Sequence, residues 1–260
     1  WGDVEEKLYS YKLRLSQQWQ PQEQALCGLE VITLDLPGYG ENAHLDAFES
    51  ISEYANWVLD ALSAQGIERF HLLGHSMGGM VAQEIVAIAP DRVERLVLYG
   101  TGATGILPGR FEPIQASKSR AQTDGARSTA RRIAATWFLE REAAAEFEGC
   151  AAIAERSSLQ AIVAGLDAME GWSGVPNLSA IRAQTLVVWG DHDRTYPWAQ
   201  IEQLWRSIAN TSLAVIPNCA HAAHLEKPAI FNRILQDFFE DSAVMVAQPS
   251  EKLERAAHGT

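Results

Sequence analysis

Cysteine is scarce in this chain: Cys27, Cys150 and Cys219 are the only three, with no CxxC pair. So odd and scattered a set excludes a disulfide framework and a zinc site, and the thiols read as small buried apolar groups. Long apolar runs are missing too. None approaches the roughly 18 to 20 residues that span a bilayer, and the chain opens on Asp3, Glu5, Glu6 and Lys7 rather than a signal-peptide pattern. The expectation is a cytoplasmic protein with no membrane partner. Positive charge is in deficit, with 21 Lys and Arg against 33 Asp and Glu, a net −12 and a pI near 5.0. Such a field repels a phosphate backbone, so no nucleic-acid partner is expected. Gly38 and Gly40 have no third glycine at the spacing of a dinucleotide fingerprint and open no helix, which removes that cofactor class. No metal or cofactor is expected.

What remains is a chain of 260 residues, 47% hydrophobic, enough for one large α/β domain carrying an insertion. Apolar runs bounded by turn residues read as buried strands at Leu29 to Asp35, Phe70 to Gly74, Val93 to Gly100, Thr185 to Gly190 and Ser212 to Pro217. Helical spacing lies between them at Ser50 to Gln65, Met77 to Ala89, Pro197 to Ala209 and Pro228 to Asp241. This alternation predicts a mostly parallel sheet with helices on both faces. It breaks between about Thr104 and Ala180, where Ala-rich stretches such as Arg127 to Glu148 and Ala151 to Met169 predict helices without a strand. The expected division is a core of 1–104 and 181–247, a helical cap of 105–180, and a frayed tail of 248–260.

The chemistry-bearing motif is Gly74-His75-Ser76-Met77-Gly78, a GxSxG that follows the strand at Phe70 and opens the helix at Met77. Glycines remove side chains that would clash in so sharp a turn and leave the Ser76 hydroxyl exposed at the sheet's carboxyl edge. A serine hydroxyl is a weak nucleophile and needs an imidazole to take its proton and a carboxylate to orient that imidazole. Downstream, the strand Thr185 to Trp189 ends in Gly190-Asp191-His192-Asp193, which puts acids on the same rim. Asp193 is the preferred orienting acid, and Asp191 is expected to shape the turn by bonding its own backbone. The loop after Leu213 to Ile216 carries His221, the expected base, while His224 is expected to pack or cap. His75 is expected to pack under the turn, and His44, His71, His192 and His258 lack a matching partner. A Cys219–His221 pair is set aside because side chains two apart on a loop rarely face each other.

The order Ser76, Asp193, His221 resembles that of the α/β-hydrolase family, as do Asp35-Leu36-Pro37-Gly38-Tyr39-Gly40 and Ala220-His221-Ala222-Ala223-His224-Leu225-Glu226-Lys227-Pro228. Within the family, the chain is similar to capped esterases, enol-lactone hydrolases and carbon–carbon hydrolases of ring-cleavage products. The resemblance implies Ser76 as nucleophile, Asp193 as orienting acid, His221 as general base, and a hydrolysable small-molecule substrate. It leaves room for a homodimer.

Met77 N–H supplies one oxyanion donor; the family's second donor is usually announced by a His-Gly pair, which is absent before Leu29. The N-terminal strands are therefore expected to be shortened or atypical. The alternating stretch Tyr9 to Leu15 is a candidate substitute strand, which would bring Ser16 or Gln17 near the oxyanion, followed by a helix with Trp19 and Leu26. Trp137 and Trp172, with Phe138 and Met169, are candidate pocket residues. Lys118, Arg120, Arg127, Arg131 and Arg132 read as a solvated helix face balanced by Glu140, Glu142 and Glu146 rather than as a carboxylate site. The family's carbon–carbon hydrolases often have tryptophan after the histidine, where this chain has Ala222. Ester, lactone or amide cleavage therefore stands level with carbon–carbon cleavage. The competing class is a ligand-binding protein of the same fold with impaired turnover.

Overall fold

Side chains along a strand alternate between its two faces, so a sheet buried on both sides must present apolar residues at every position. The strand Phe70–His75 is buried along its whole length, with His71 and His75 as its polar members. The computed structural model describes residues 8–10, 16–106 and 108–240, with the backbone alone at 8–10, 16, 17 and 240. Its sheet is built from β1 (Leu8–Ser10), β2 (Phe70–His75), β3 (Val93–Tyr99), β4 (Gln184–Gly190) and β5 (Thr211–Ile216), parallel throughout and ordered as in the sequence. Leu72, Leu96, Leu98 and Val187 enter one core. Their immediate neighbours Leu73, Val97, Tyr99, Leu186 and Val188 enter a second core.

Helices cover both faces. In chain order they are α1 (Gln20–Ala25), α2 (Ile51–Ala64), α3 (Met77–Ile88), α4 (Ile114–Asp124), α5 (Ala126–Ala135), α6 (Phe147–Ala154), α7 (Leu159–Glu170), α8 (Trp198–Ser207), α9 (Ala223–Glu226) and α10 (Pro228–Glu240). Helix α2 begins where the Ser50 side chain accepts the Glu53 N–H, and it buries Ile51, Tyr54, Ala55, Val58 and Leu62 as one stripe. These residues join the first core, while Phe231, Leu235 and Phe239 of α10 close the second.

Two expectations are corrected. Segment 29–35 is not a strand: Ile32 alone holds a bridge position, and Glu30 is exposed. The Ala-rich stretches between β3 and β4 are helical, with no strand among the described residues, but they are broken into shorter pieces. Helix α5 stops where the Thr136 hydroxyl donates to the Ile133 carbonyl, and α7 starts at Ser158, whose side chain caps Ala161 N–H. The two ends of this insert are stitched together by the Thr104–Ser173 bridge and by Gly174 N–H donating to Ala103 O at 2.9 Å. The expected tail of 248–260 and residues 11–15 of the candidate N-terminal strand lie outside the described residues.

Candidate active site

Parallel strands deliver their carboxyl ends to one rim, and each of β2, β4 and β5 ends there in a chemistry-bearing loop. Ser76 follows β2 at φ 58° and ψ −126°, a left-handed conformation that a non-glycine residue adopts only under constraint. The constraint is visible: Ser76 N–H donates to Tyr99 O at 3.1 Å, and Ser76 O accepts from Gly79 N–H and from the Thr101 hydroxyl at 2.7 Å. A side chain on Gly74 would run into the Gly78 carbonyl, so glycine is required there for the turn to close. Met77 opens α3, and its N–H is one of the first-turn donors that a helix leaves without an internal acceptor.

Asp193 and His221 are brought together. His221 Nδ1 lies 2.8 Å from Asp193 Oδ2, with both side chains fully buried. The other oxygen, Oδ1, accepts the backbone N–H groups of Thr195 at 2.7 Å and Tyr196 at 3.1 Å. A carboxylate only accepts, so Nδ1 carries the proton and Nε2 is left as the basic nitrogen. Nε2 is buried and has no hydrogen-bond partner among the described residues. The His221 carbonyl accepts the Tyr99 hydroxyl at 2.7 Å and is contacted by His75 Nε2 at 3.1 Å, which fixes the loop from below. Gly100 passes so close, at φ 48°, that a Cβ there would stand 3.1 Å from His221 Nδ1. Burial pushes the Tyr99 hydroxyl well above its ordinary pKa, so it serves as a fixed donor.

The remaining histidines and acids fall into supporting places. His224 is buried, stacks on Trp19 at 4.1 Å, and its Nδ1 lies 3.1 Å from the Tyr99 hydroxyl. His75 stacks on Tyr99 at 4.3 Å beneath the turn. Asp191 does not bond its own backbone: its carboxylate accepts the Cys219 N–H at 3.4 Å, bracing the histidine loop across the rim. Burial pushes the Cys219 thiol up to about 12, which removes it as a nucleophile at neutral pH.

Beside Ser76 lies a mostly apolar cavity of about 680 Å3, including its mouth, with Tyr39, Arg110, Trp137, Met169 and Thr195 in its wall. Trp137 sits in this wall, 6.1 Å from the His221 ring, and its carbonyl accepts Ala222 N–H at 2.8 Å. Trp172 does not: its indole turns away to donate to Glu84 at 3.0 Å. Phe138 is fully buried against Phe147 instead. The basic residues of the insert are paired with acids, but the partners are Glu112, Glu148, Glu155, Asp167 and Glu170 rather than Glu140, Glu142 and Glu146. The side chains of Ser16 and Gln17 lie outside the described residues. Sequence reasoning missed Arg110, Thr195 and Tyr196. Tyr196 had a usable signal, since it stands three residues after Asp193 and just before Pro197.

A constrained serine at a strand-to-helix turn and a buried Asp–His pair thus share one rim of a parallel α/β sheet. The chain belongs to the alpha/beta hydrolase family, whose model matches residues 9–234. A relative from Variovorax paradoxus (strain S110), carrying the provisional name carbamate hydrolase RutD, is 30% identical over 229 residues, 85% of each chain. The 2-hydroxy-6-oxononadienedioate/2-hydroxy-6-oxononatrienedioate hydrolase of Klebsiella pneumoniae is 30% identical over 81% of this chain and 76% of its own. The crystal structure of the enol-lactonase from Burkholderia xenovorans LB400 superposes with a TM-score of 0.80 at 23% identity, covering 92% of this chain and 94% of that one. No helix among the described residues is long and apolar enough to cross a membrane.

Proposed function

We propose that this protein is a serine hydrolase that cleaves an ester, lactone, amide or activated carbon–carbon bond in a small organic substrate. The observation that carries the reading is the buried 2.8 Å Asp193–His221 pair on the rim that holds the constrained Ser76. In the proposed cycle His221 Nε2 takes the Ser76 Oγ proton as Oγ adds to the substrate carbonyl, and Met77 N–H donates to the resulting oxyanion. Collapse breaks the bond to the leaving group, which receives the proton from His221 and leaves an acyl ester on Ser76. Water then gives its proton to His221 and attacks the acyl carbon, Oγ departs, and His221 returns the proton to it.

Residues 105–180 act in this reading as a cap that supplies the cavity wall over the nucleophile. The wall's one charged member, Arg110, favours a substrate that carries a carboxylate. Glu112 is engaged by Arg132 at 2.9 Å and Arg120 at 3.3 Å, while Arg110 itself donates to Glu112 O at 2.7 Å and to Ser117 Oγ at 3.1 Å. The names of the relatives, a carbamate hydrolase, a dienedioate hydrolase and an enol-lactonase, agree with this range of bonds.

The test is covalent labelling with an alkyl fluorophosphonate. The intact protein is expected to label at one site, and Ser76→Ala to lose the label. An unlabelled protein that still gains thermal stability from a carboxylate ester, with no product formed, would replace this reading with that of a binding protein.

A further inference from the structure

One residue in the rim contacts all three residues assigned above to the reaction, Asp193 through its backbone and His221 and Ser76 through its side chain. Tyr196 donates its backbone N–H to Asp193 Oδ1 at 3.1 Å. Its ring lies over the His221 imidazole, with centroids 5.6 Å apart and planes 22° from parallel. Its hydroxyl reaches Ser76 Oγ at 3.5 Å, the outer limit of a hydrogen bond. The residue has no freedom to leave: it is fully buried, its carbonyl accepts the Trp189 indole N–H at 2.9 Å, and Pro197 fixes the chain behind it.

A phenylalanine would stack on the imidazole equally well, and tyrosine adds a hydroxyl that reaches Ser76 Oγ. We propose that Tyr196 is a catalytic residue of this site, whose hydroxyl donates a hydrogen bond to the Ser76 oxygen. This rests on the assignment of Ser76 as nucleophile.

The consequence is specific to two moments. During acylation the Ser76 proton moves to His221 Nε2, and a donor on Oγ stabilises the negative charge that develops there. During deacylation Oγ is the leaving group: the acyl carbon–Oγ bond breaks, Oγ takes the proton from His221, and the Tyr196 hydroxyl supports the departing oxygen. Tyr196 keeps its own proton throughout, so no group beyond His221 and water is consumed. Because the imidazole lies under the same ring, the donor stays aligned with the proton path.

The experiment compares wild type, Tyr196→Phe and Tyr196→Leu. One measurement is the second-order rate of labelling by an alkyl fluorophosphonate across pH; the other is pre-steady-state hydrolysis of p-nitrophenyl butyrate. Tyr196→Phe keeps the stack and loses the donor. It is expected to label about tenfold more slowly, the worth of one hydrogen bond at a reacting oxygen. Its kcat should fall by a similar factor with KM unchanged, its thermal midpoint should stay near wild type, and, because acylation and deacylation both slow, acid quenching should trap about the same share of butyryl-enzyme.

Wild-type labelling and turnover in Tyr196→Phe would overturn the proposal while leaving Ser76 as nucleophile. So would a defect confined to Tyr196→Leu, since the ring alone would then matter. A slow Tyr196→Phe that also melts well below wild type and raises KM would reduce the residue to packing. A wild-type protein that does not label at all would remove the serine hydrolase reading, and this inference with it.

Discussion

The sheet rim and the inserted helices meet over one cavity, yet they are held by different means. On the rim, positions are set by backbone hydrogen bonds and close approaches: Ser76 N–H to Tyr99 O, Asp193 Oδ1 on two N–H groups, and the His221 carbonyl under the Tyr99 hydroxyl. The insert packs apolar side chains such as Phe138, Phe147 and Leu166 into the first core and adds ion pairs near its surface, such as Arg131 with Glu148 and Glu155, and Arg127 with Glu155. The two regions are bolted together at residues 137–139. There Arg194 of the acid loop donates to Phe138 O and Leu139 O, while Glu226 accepts both Leu139 N–H and Ala220 N–H at 2.7 Å. The candidate reactive groups thus stand on the rim, while most of the cavity wall comes from the insert, which is also joined to the core where Trp172 donates to Glu84 and Tyr39 donates to Ala161 O.

Breaking the rim gives the largest effect. Asp193→Asn keeps the shape but can present its amide to the imidazole and favour the wrong tautomer, so kcat is expected to fall by about 10^3 to 10^4 in ester hydrolysis. A loss under tenfold would show that Asp193 does not orient His221. Gly100→Ala comes next. A side chain at φ 48°, 3.1 Å from His221 Nδ1, must displace the pair, costing about 1 to 3 kcal/mol on urea unfolding together with a lower fluorophosphonate labelling rate. Unchanged labelling would mean the pair tolerates movement.

Changes in the insert sharpen the contrast because they should alter selection rather than chemistry. Arg110→Met is expected to raise KM about tenfold for esters bearing a carboxylate and leave neutral esters unaffected. Equal effects on both would remove the carboxylate preference. Acid should loosen this region through Glu112. Burial alone would raise its carboxyl, but hydrogen bonds from Ser117 and Arg132 and the nearby guanidinium charge outweigh it and hold it below the ordinary value of 4.5. A carboxyl lowered in the folded state contributes stability above that ordinary value, and the contribution is lost as the pH falls through the folded value. Glu112→Gln should therefore flatten the acid limb of thermal stability. The smallest effect compares the thiols. Burial pushes Cys150 of the insert and Cys219 of the rim both to about 12, so iodoacetamide at pH 7.5 should modify exposed Cys27 and spare the other two by peptide mass spectrometry.

The sequence made the rim legible because its requirements are local. A strand of apolar residues, a turn too tight for side chains and a helix start are written in consecutive residues from Phe70 to Gly79. Asp193 and His221 could be proposed because each follows a strand by a few residues, and parallel strands end on one side. The segment 29–35 misled because its composition suits a strand, while pairing depends on a neighbour that only the fold supplies. Trp137 and Trp172 had equal standing as aromatic residues of the insert. One faces the cavity and the other donates to Glu84, a choice made by α3, far away in sequence.

By itself, then, the sequence determined the class of fold, the order of the three candidate side chains on the rim and the serine's place at a strained turn, since each follows from short-range periodicity and sterics. Tertiary structure alone decided that Tyr196 lies against all three of them, that Arg110 lines the cavity, and which acids pair with the insert's basic residues. Those contacts join residues up to 120 positions apart, as Tyr196 and Ser76 are. No local pattern carries that information, because such neighbours are chosen by the packing of the sheet, its loops and the insert as a whole.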